Sequence, residues 1–300
     1  MPSLEEYEIR IKTLYTLISG GTELAVLSGE RKELVKFPCH PGYCNVGVVE
    51  EIGEKVEEYR EGNLVYSESG HAEFNVVNIR REVVESVPEG VEVKFVPLVS
   101  LAAVGLYGVR RANIKVGEPV AVIGLGLVGQ FALQFALLSG GYPIMGIDKI
   151  KSRREKALNS GADKVFASLK EIKEKVPVIL DCTGVGKILP QVLEMLEVGG
   201  RLVIVGSPYD EVKLHPFRDI CRKDLQIIGT LQPNNPLNST WTYRFGKKSE
   251  RKLILSLMAA KKLKVEGLIT HIFKKEEYKK AYELLKEKRG EVLGVLLDWR

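Results

Sequence analysis

Residues 120–129 read VAVIGLGLVG, an apolar run followed by three spaced glycines, and this stretch decides the fold. The apolar run is rich in β-branched residues, which is typical of a strand buried on both faces of a sheet. Apolar residues then recur at positions 128, 131, 132, 135 and 138, which is helical spacing. The sequence therefore predicts a strand, a glycine-rich turn and a helix.

Each glycine of this turn has a physical role in binding a dinucleotide. The first allows the tight turn, the second lets a pyrophosphate approach the backbone, and the third lets helix and sheet pack closely. The helix N-terminus then presents free N–H groups to the phosphates. We therefore expect a dinucleotide cofactor, with contacts from Gly124, Leu125, Gly126, Leu127, Val128, Gly129, Asp148, Lys149, Arg153, Thr183 and Gly206.

Asp148 ends the next predicted strand, 24 residues beyond Gly124. A carboxylate at this place binds the ribose hydroxyls, whereas a 2′-phosphate would be repelled, so NAD is predicted over NADP. Lys149, Arg153 or Arg154 could still accommodate a phosphate. The alternative is a solvated aspartate at a strand end.

Further apolar runs at 144–148, 164–167, 178–182, 201–206 and 225–230 alternate with helical patterns. Parallel neighbours need crossovers of helix length, so six such strands predict a doubly wound parallel sheet of Rossmann type. The run at 164–167 (KVFA) is weaker, which suits an edge strand.

The two ends of the chain have a different texture. Strand-like pieces at 8–14 and 47–52 lie between Gly and Pro turns, which favours a small antiparallel barrel. A helix near 249–262, a strand at 268–273, a helix near 276–288 and a strand at 292–298 are predicted near the C-terminus. Residues 1–97 and 241–300 are expected to form one domain, and residues 98–240 the other.

Composition excludes several classes of protein. With 300 residues, 45% hydrophobic and 28% charged, the chain is typical of a soluble bidomain protein, and its mixed charges and net +5 resemble a thermophile-like surface. Four cysteines without a CxxC pair exclude a disulfide scaffold. Neither a nucleic-acid footprint, a membrane span nor an export signal is predicted, so a cytoplasmic location and a small-molecule partner are expected.

Four stretches, in this order, resemble the medium-chain dehydrogenase/reductase (alcohol dehydrogenase) superfamily. They are residues 40–66 (HPGYCNVGVVEEIGEKVEEYREGNLVY), 106–129, 181–208 and 267–299. The resemblance implies an α/β protein in which a GroES-like β-barrel catalytic domain is joined to a Rossmann domain, with the substrate in the cleft between them. It also implies a homodimer or homotetramer, and the SGGTE and PGYxxVG motifs are most similar to a zinc-poor branch that includes bacteriochlorophyllide dehydrogenases.

The sequence departs from that family where its catalytic zinc ligands should stand. Gly20 matches the position of the cysteine ligand, Tyr43 that of the histidine, and residues 101–104 are apolar where a third ligand is expected. Glycine, tyrosine and aliphatic side chains do not form a tetrahedral zinc site, so no zinc is expected. A relocated site at Cys39, His40 and Cys44 is the rival interpretation, although adjacent ligands strain tetrahedral geometry.

Three residues are candidates for the proton chemistry that zinc would otherwise support. Thr22 matches the family's relay hydroxyl, Tyr43 replaces a ligand, and His71 matches a position near the cleft. Each has a structural alternative: a turn hydroxyl, a packing aromatic and a hydrogen-bonded core histidine. With the loop at 234–245, Tyr43 and His71 are expected to line the pocket.

The sequence predicts a zinc-independent NAD(H)-dependent oxidoreductase that interconverts an alcohol and a carbonyl. Two alternatives remain open at this point. One is a zinc-free NADPH-dependent reductase of enones or quinones. The other is a nucleotide-binding sensor without turnover.

Overall fold

A computed structural model describes residues 3–30, 35–288 and 290–300. The chain divides into two compact units, one formed by Met1–Leu101 with Pro233–Arg300 and the other by Ala102–Gln232. The sequence predicts boundaries at 97/98 and 240/241, a few residues from these divisions.

Strands and helices follow one another along the whole chain. The strands are β1 Glu8–Leu17, β2 Asn45–Ile52, β3 Leu64–Ser67, β4 Phe74–Asn78, β5 Val84–Ser86, β6 Val120–Ile123, β7 Ile144–Ile147, β8 Lys164–Phe166, β9 Val176–Asp181, β10 Leu196–Ile204, β11 Gln226–Gly229, β12 Ile269–Lys274 and β13 Gly294–Asp298. The helices are α1 Gly20–Leu27, α2 Val99–Ala112, α3 Leu127–Leu138, α4 Lys151–Asn159, α5 Leu189–Met195, α6 Pro216–Asp219, α7 Lys247–Ala259 and α8 Tyr278–Glu287.

The unit of residues 102–232 is built on a parallel sheet with strand order β11-β10-β9-β6-β7-β8. Every pairing in it is parallel, as the helical crossovers between the apolar runs predict. All residues of β6 and β7 are buried, which explains their uninterrupted apolar sequence. The predicted six-stranded sheet is confirmed, and β8, the KVFA run, is an edge strand.

The other unit contains a seven-stranded sheet with the path β12-β13-β1-β2-β3-β5, and β4 also pairs with β1. The antiparallel pattern expected for the first hundred residues is confirmed in the pairs of β1 with β2 and β4 and of β3 with β2 and β5. Near the C-terminus, β12 and β13 are parallel. Helix α8 connects these two strands, and a helical crossover makes parallel neighbours. Because β13 also pairs with β1, the last strand of the chain lies beside the first.

One helical segment, Val93–Ala112, is long and apolar enough to cross a membrane by composition. It is 72% buried within the protein, which is typical of a core helix. Its buried residues include Val96, Leu98, Val99 and Ala102.

Glu85 in β5 gives a pH-dependent prediction. Burial raises the pKa of its carboxyl to about 7, although Lys248, Lys252 and Arg251 act in the opposite direction. A carboxyl whose pKa is raised by folding opposes folding when it is ionised, so stability falls as pH rises from about 4.5 to 7. Glu85→Gln should raise the free energy of unfolding at pH 8 by about 1 kcal/mol after allowance for solvent screening.

The measurement is urea denaturation of wild type and Glu85→Gln at pH 4 and pH 8. The two proteins should unfold at similar urea concentrations at pH 4, where the carboxyl is protonated in both states. Glu89→Gln, at an exposed position nearby in sequence, is the control. Equal stability of wild type and Glu85→Gln at pH 8 would contradict the raised pKa.

Candidate active site

The glycine-rich turn between β6 and α3 has the shape that its sequence predicts. Gly124 has φ +84°, a conformation that favours glycine. A Cβ atom on Gly129 would lie 1.8 Å from the carbonyl oxygen of Gly124, so only glycine fits there. A Cβ atom on Gly126 would meet nothing within 4 Å, which leaves open space beside the N-terminus of α3. These features fit the pyrophosphate of a dinucleotide.

Asp148 holds this turn in place from the end of β7. Its Oδ2 atom accepts a hydrogen bond from the Leu125 N–H at 2.8 Å, and its Oδ1 atom accepts one from the Ile150 N–H at 2.8 Å. The Nη1 atom of Arg153 lies 3.7 Å from Oδ2. The carboxylate is therefore a structural part of the turn in addition to its predicted role towards the ribose.

Gln130 binds the carbonyl group of the same residue, Leu125, a role not predicted from the sequence. Its Nε2 atom donates to the carbonyl oxygens of Leu125 at 3.2 Å and Arg153 at 2.8 Å. Gln130 is fully buried in the first turns of α3, where a polar side chain in an apolar run was the available signal.

The remaining predicted cofactor residues divide into packed and exposed groups. Thr183 packs against Gly124, where an added Cβ would lie 2.9 Å from its methyl group, and Thr183 also donates to Asp181. Gly206 closely approaches Gly184, since a Cβ on Gly206 would lie 2.3 Å from the Gly184 nitrogen. Lys149 is exposed beside Asp148.

Asp148→Ala should destabilise the unit of residues 102–232, because it leaves the N–H groups of Leu125 and Ile150 without their acceptor. A buried donor without a partner costs about 1–3 kcal/mol, so a loss of about 2–4 kcal/mol in the free energy of unfolding is expected. Urea denaturation followed by circular dichroism measures this loss. Lys149→Ala, at the exposed neighbour, is the control. An unchanged urea midpoint of Asp148→Ala would contradict the role of Asp148 in holding the glycine-rich turn.

A second group of functional residues lies in the other unit, around the hydroxyl of Tyr43. The Tyr43 hydroxyl lies 2.6 Å from Ser19 Oγ and 3.5 Å from Thr22 Oγ1, and either partner can donate. The structure therefore brings together two predicted site residues and adds Ser19, and we call these three residues the hydroxyl cluster. Burial raises the pKa of the Tyr43 phenol above its ordinary value of 10.0, so the phenol is neutral at physiological pH.

The backbone of Tyr43 is fixed as well. Ser100 at the start of α2 donates its Oγ proton to the Tyr43 carbonyl oxygen at 2.8 Å. Its oxygen can then accept the hydroxyl proton of Tyr66 at 2.7 Å. Tyr66 is fully buried.

His71 is bound on both sides of its ring. Its Nε2 atom lies 3.0 Å from Glu23 Oε2, and its Nδ1 atom lies 2.8 Å from Thr16 Oγ1. The side chain is 6% exposed. The hydrogen bonds of the imidazole are thus to Thr16 and Glu23, and they favour the structural alternative over acid–base catalysis.

The rival metal ligands are not arranged as a site. Cys44 is fully buried, His40 is exposed, and both Cys39 and Cys44 are free thiols. Within residues 3–30, 35–288 and 290–300, no three His, Cys, Asp or Glu side chains are grouped so as to hold a metal ion.

Comparisons with known proteins agree with this architecture. A family model described as zinc-binding dehydrogenase matches residues 128–245. A sorbitol dehydrogenase of Halalkalibacterium halodurans is 25% identical over 99% of this chain and 93% of its own length. An L-threonine 3-dehydrogenase of Caldanaerobacter subterraneus subsp. tengcongensis is 28% identical over 95% of this chain and 90% of its own.

These matches make the chain similar to zinc-binding dehydrogenases of the medium-chain dehydrogenase/reductase superfamily. The chain is an oxidoreductase of the alcohol dehydrogenase type. A solved zinc-dependent alcohol dehydrogenase 2 from Streptococcus pneumonia superposes with a TM-score of 0.85 at 21% identity, covering 99% of this chain and 92% of that one, which supports the fold. The expected similarity to the bacteriochlorophyllide branch stays a prediction, since these relatives are of the zinc-binding type.

The zinc that this superfamily often carries does not fit the residues at the matching positions. Gly20 has no side chain, and a Cβ atom there would lie 3.2 Å from Leu285, within an apolar contact. Tyr43 presents a neutral hydroxyl that is already hydrogen-bonded, and Leu101, Ala102 and Ala103 are buried apolar residues. A tetrahedral site of N, S and carboxylate ligands cannot be built from this set.

The loop at 234–245, which was expected to line the pocket, presents Trp241, Tyr243 and Phe245 as exposed side chains. Its contribution to substrate binding stays a prediction. Ser19 and Ser100 are the site residues that sequence reasoning missed. Ser19 precedes a predicted turn in SGGTE, where a serine suggests a helix cap and gives no sign of a partner at Tyr43.

Proposed function

We propose that this protein is a zinc-independent, NAD(H)-dependent oxidoreductase that transfers a hydride between nicotinamide and an alcohol/carbonyl substrate. The observation that carries the proposal is the hydroxyl cluster, whose central Tyr43 stands where zinc-dependent relatives have a histidine ligand. Bound nicotinamide supplies or accepts the hydride, and the residues of this chain bind the substrate oxygen and move its proton.

The chemistry of the hydroxyl cluster suits a neutral oxygen that changes between carbonyl and alcohol. Because the Tyr43 pKa is raised by burial, the phenol acts as a hydrogen-bond donor and not as a phenolate base. In the reductive direction Tyr43 gives its proton to the substrate oxygen and receives one from Ser19 or Thr22. Thr22 is partly exposed, so the proton can be replaced from solvent through its hydroxyl.

Asp148 supports NAD as the preferred cofactor. Its carboxylate stands at the end of β7, where it can accept hydrogen bonds from the ribose hydroxyls with its remaining lone pairs. A 2′-phosphate would bring a second anion to a buried carboxylate. Arg153 neutralises part of this charge, which makes the preference for NADH over NADPH graded and not absolute.

Metal analysis of the protein gives the first test. Untagged protein purified without chelator should contain well under one zinc per chain by mass spectrometry of the dissolved metal. Dialysis against a chelator should leave its turnover unchanged, because no residue of the hydroxyl cluster is a zinc ligand. One tightly bound zinc per chain would overturn zinc independence.

The second test removes the phenol. A panel of alcohols, aldehydes, enones and quinones first identifies a substrate that is turned over. Tyr43→Phe should then lower kcat by about 100-fold or more with NADH fluorescence titration unchanged, because it removes the proton donor and leaves the glycine-rich turn intact.

Tyr59→Phe, which removes another hydrogen-bonded hydroxyl of the same unit, is the matched control. Full activity of Tyr43→Phe would contradict the proposed role of the hydroxyl cluster. Turnover restricted to enones or quinones with NADPH would favour the reductase alternative. Nucleotide binding without any turnover would favour the sensor.

A further inference from the structure

The Glu23 carboxylate is buried at the first turn of α1 and accepts three hydrogen bonds. It is bonded to the Ser19 N–H at 2.7 Å, to the Tyr282 hydroxyl, and to His71 Nε2 at 3.0 Å. Glu23 is 4% exposed. We call Ser19, Glu23, His71 and Tyr282 the Glu23 cluster.

The Glu23 cluster contacts the phenol end of Tyr43 through Ser19. Ser19 is the N-cap residue of α1, but its hydroxyl makes no capping bond to the helix. A serine at this position ordinarily accepts a hydrogen bond from the first turn. Here its Oγ atom lies 2.6 Å from the Tyr43 hydroxyl, while Glu23 binds its backbone N–H instead. The position of the Ser19 hydroxyl therefore depends on the Glu23 carboxylate.

The Glu23 cluster also contacts the backbone end of Tyr43, through His71. The His71 N–H donates to the Pro41 carbonyl oxygen at 2.9 Å. The imidazole lies against Gly42, since a Cβ atom on Gly42 would be 2.8 Å from His71 Cδ2. Gly42 has φ +95°, so the residue directly before Tyr43 is a glycine for two independent reasons.

The far side of the imidazole is fixed by the chain's C-terminal segment. Thr16 Oγ1, which faces His71 Nδ1, accepts a hydrogen bond from Trp299 Nε1 at 2.9 Å. No proton path joins His71 to Tyr43 through these hydrogen bonds, because the link from Glu23 to Ser19 uses a backbone N–H. The contacts of His71 with Gly42 and the Pro41 carbonyl therefore bear on the position of Tyr43.

We propose that Glu23 and His71 are positioning residues that hold the Tyr43 hydroxyl from both ends, without touching the substrate. The proposal rests on the proposed function for the importance of Tyr43 in turnover. The geometric part of it concerns Tyr43 alone and is testable without a substrate.

The test places 3-fluorotyrosine at position 43 of the full-length protein and records its ¹⁹F resonance. Glu23→Gln should shift or broaden this resonance, since an amide has one acceptor and one donor group in place of two acceptor oxygens, so Ser19, Tyr282 and His71 cannot all remain donors to residue 23. His71→Leu should do the same, because it loses the bond to Glu23 and the flat contact with Gly42. His71→Gln, which keeps a donor towards Glu23, should give a smaller change.

Glu118→Gln is the matched control, since it breaks an ion pair of 2.6 Å with Arg201 in the other unit. The ¹⁹F resonance of residue 43 in Glu118→Gln should equal that of wild type even if the melting temperature of this variant falls. A resonance unchanged in both Glu23→Gln and His71→Gln, with lowered melting temperatures, would overturn the proposal and leave these residues a structural role only. Should Glu23→Gln or His71→Leu not fold, Tyr282→Phe and His71→Gln carry the comparison, and an unchanged resonance in both overturns it equally.

With a substrate that the enzyme turns over, Glu23→Gln should lower kcat by up to about 100-fold, with NADH affinity unchanged. His71→Leu should lower kcat comparably, and His71→Gln, which keeps a donor towards Glu23, should lower it less. A Glu23→Gln enzyme that altered only nucleotide affinity would overturn the proposal. Full activity of Tyr43→Phe would instead refute the proposed function, and the ¹⁹F result would still decide whether Glu23 and His71 position residue 43.

Discussion

A buried carboxylate must have its hydrogen bonds supplied by the protein, and two of the three donors to Glu23 come from distant parts of the chain. Removing an ionised carboxylate from water costs several kcal/mol unless hydrogen bonds replace the lost hydration. Ser19 lies four residues before Glu23, His71 48 residues after it and Tyr282 259 residues after it. The hydroxyl cluster can therefore take its final form only when α8 has folded against the first helix, so both ends of the chain are needed to build it.

In the unit of residues 102–232, Asp148 is another buried carboxylate whose hydrogen bonds come from the protein. There a buried carboxylate accepts two backbone N–H groups, from Leu125 and Ile150, and fixes a glycine-rich turn that would otherwise be free to move. Glycine allows the turn its shape but costs conformational entropy, which a strong local anchor offsets. In both units a buried carboxylate thus fixes a backbone N–H group, that of Ser19 for Glu23 and those of Leu125 and Ile150 for Asp148.

The sequence is most informative where the signal is local. Apolar runs and glycine spacing near residues 120–129 predict β6, the turn and α3, because period and turn chemistry depend on neighbouring residues. The parallel pairing of β12 and β13 is consistent with the helix that separates them in the sequence. Ser19, Ser100 and Gln130 were missed because their partners lie elsewhere in the chain or across a turn. His71 was found, but the carboxylate that restrains its ring could not be located from sequence.

The hydroxyls of Thr22, Tyr43 and Ser19 form a short row in which each oxygen carries one proton and can also accept. Such a row has two directions, and reversing all three O–H groups moves no heavy atom and changes no charge. In either direction the central Tyr43 donates to one neighbouring hydroxyl and accepts from the other. A metal cation has a single polarity and favours the anionic partner in both directions of reaction. A row of hydroxyls can reverse without any separation of charge, so the same three residues could serve a substrate oxygen that takes up a proton and one that gives a proton up.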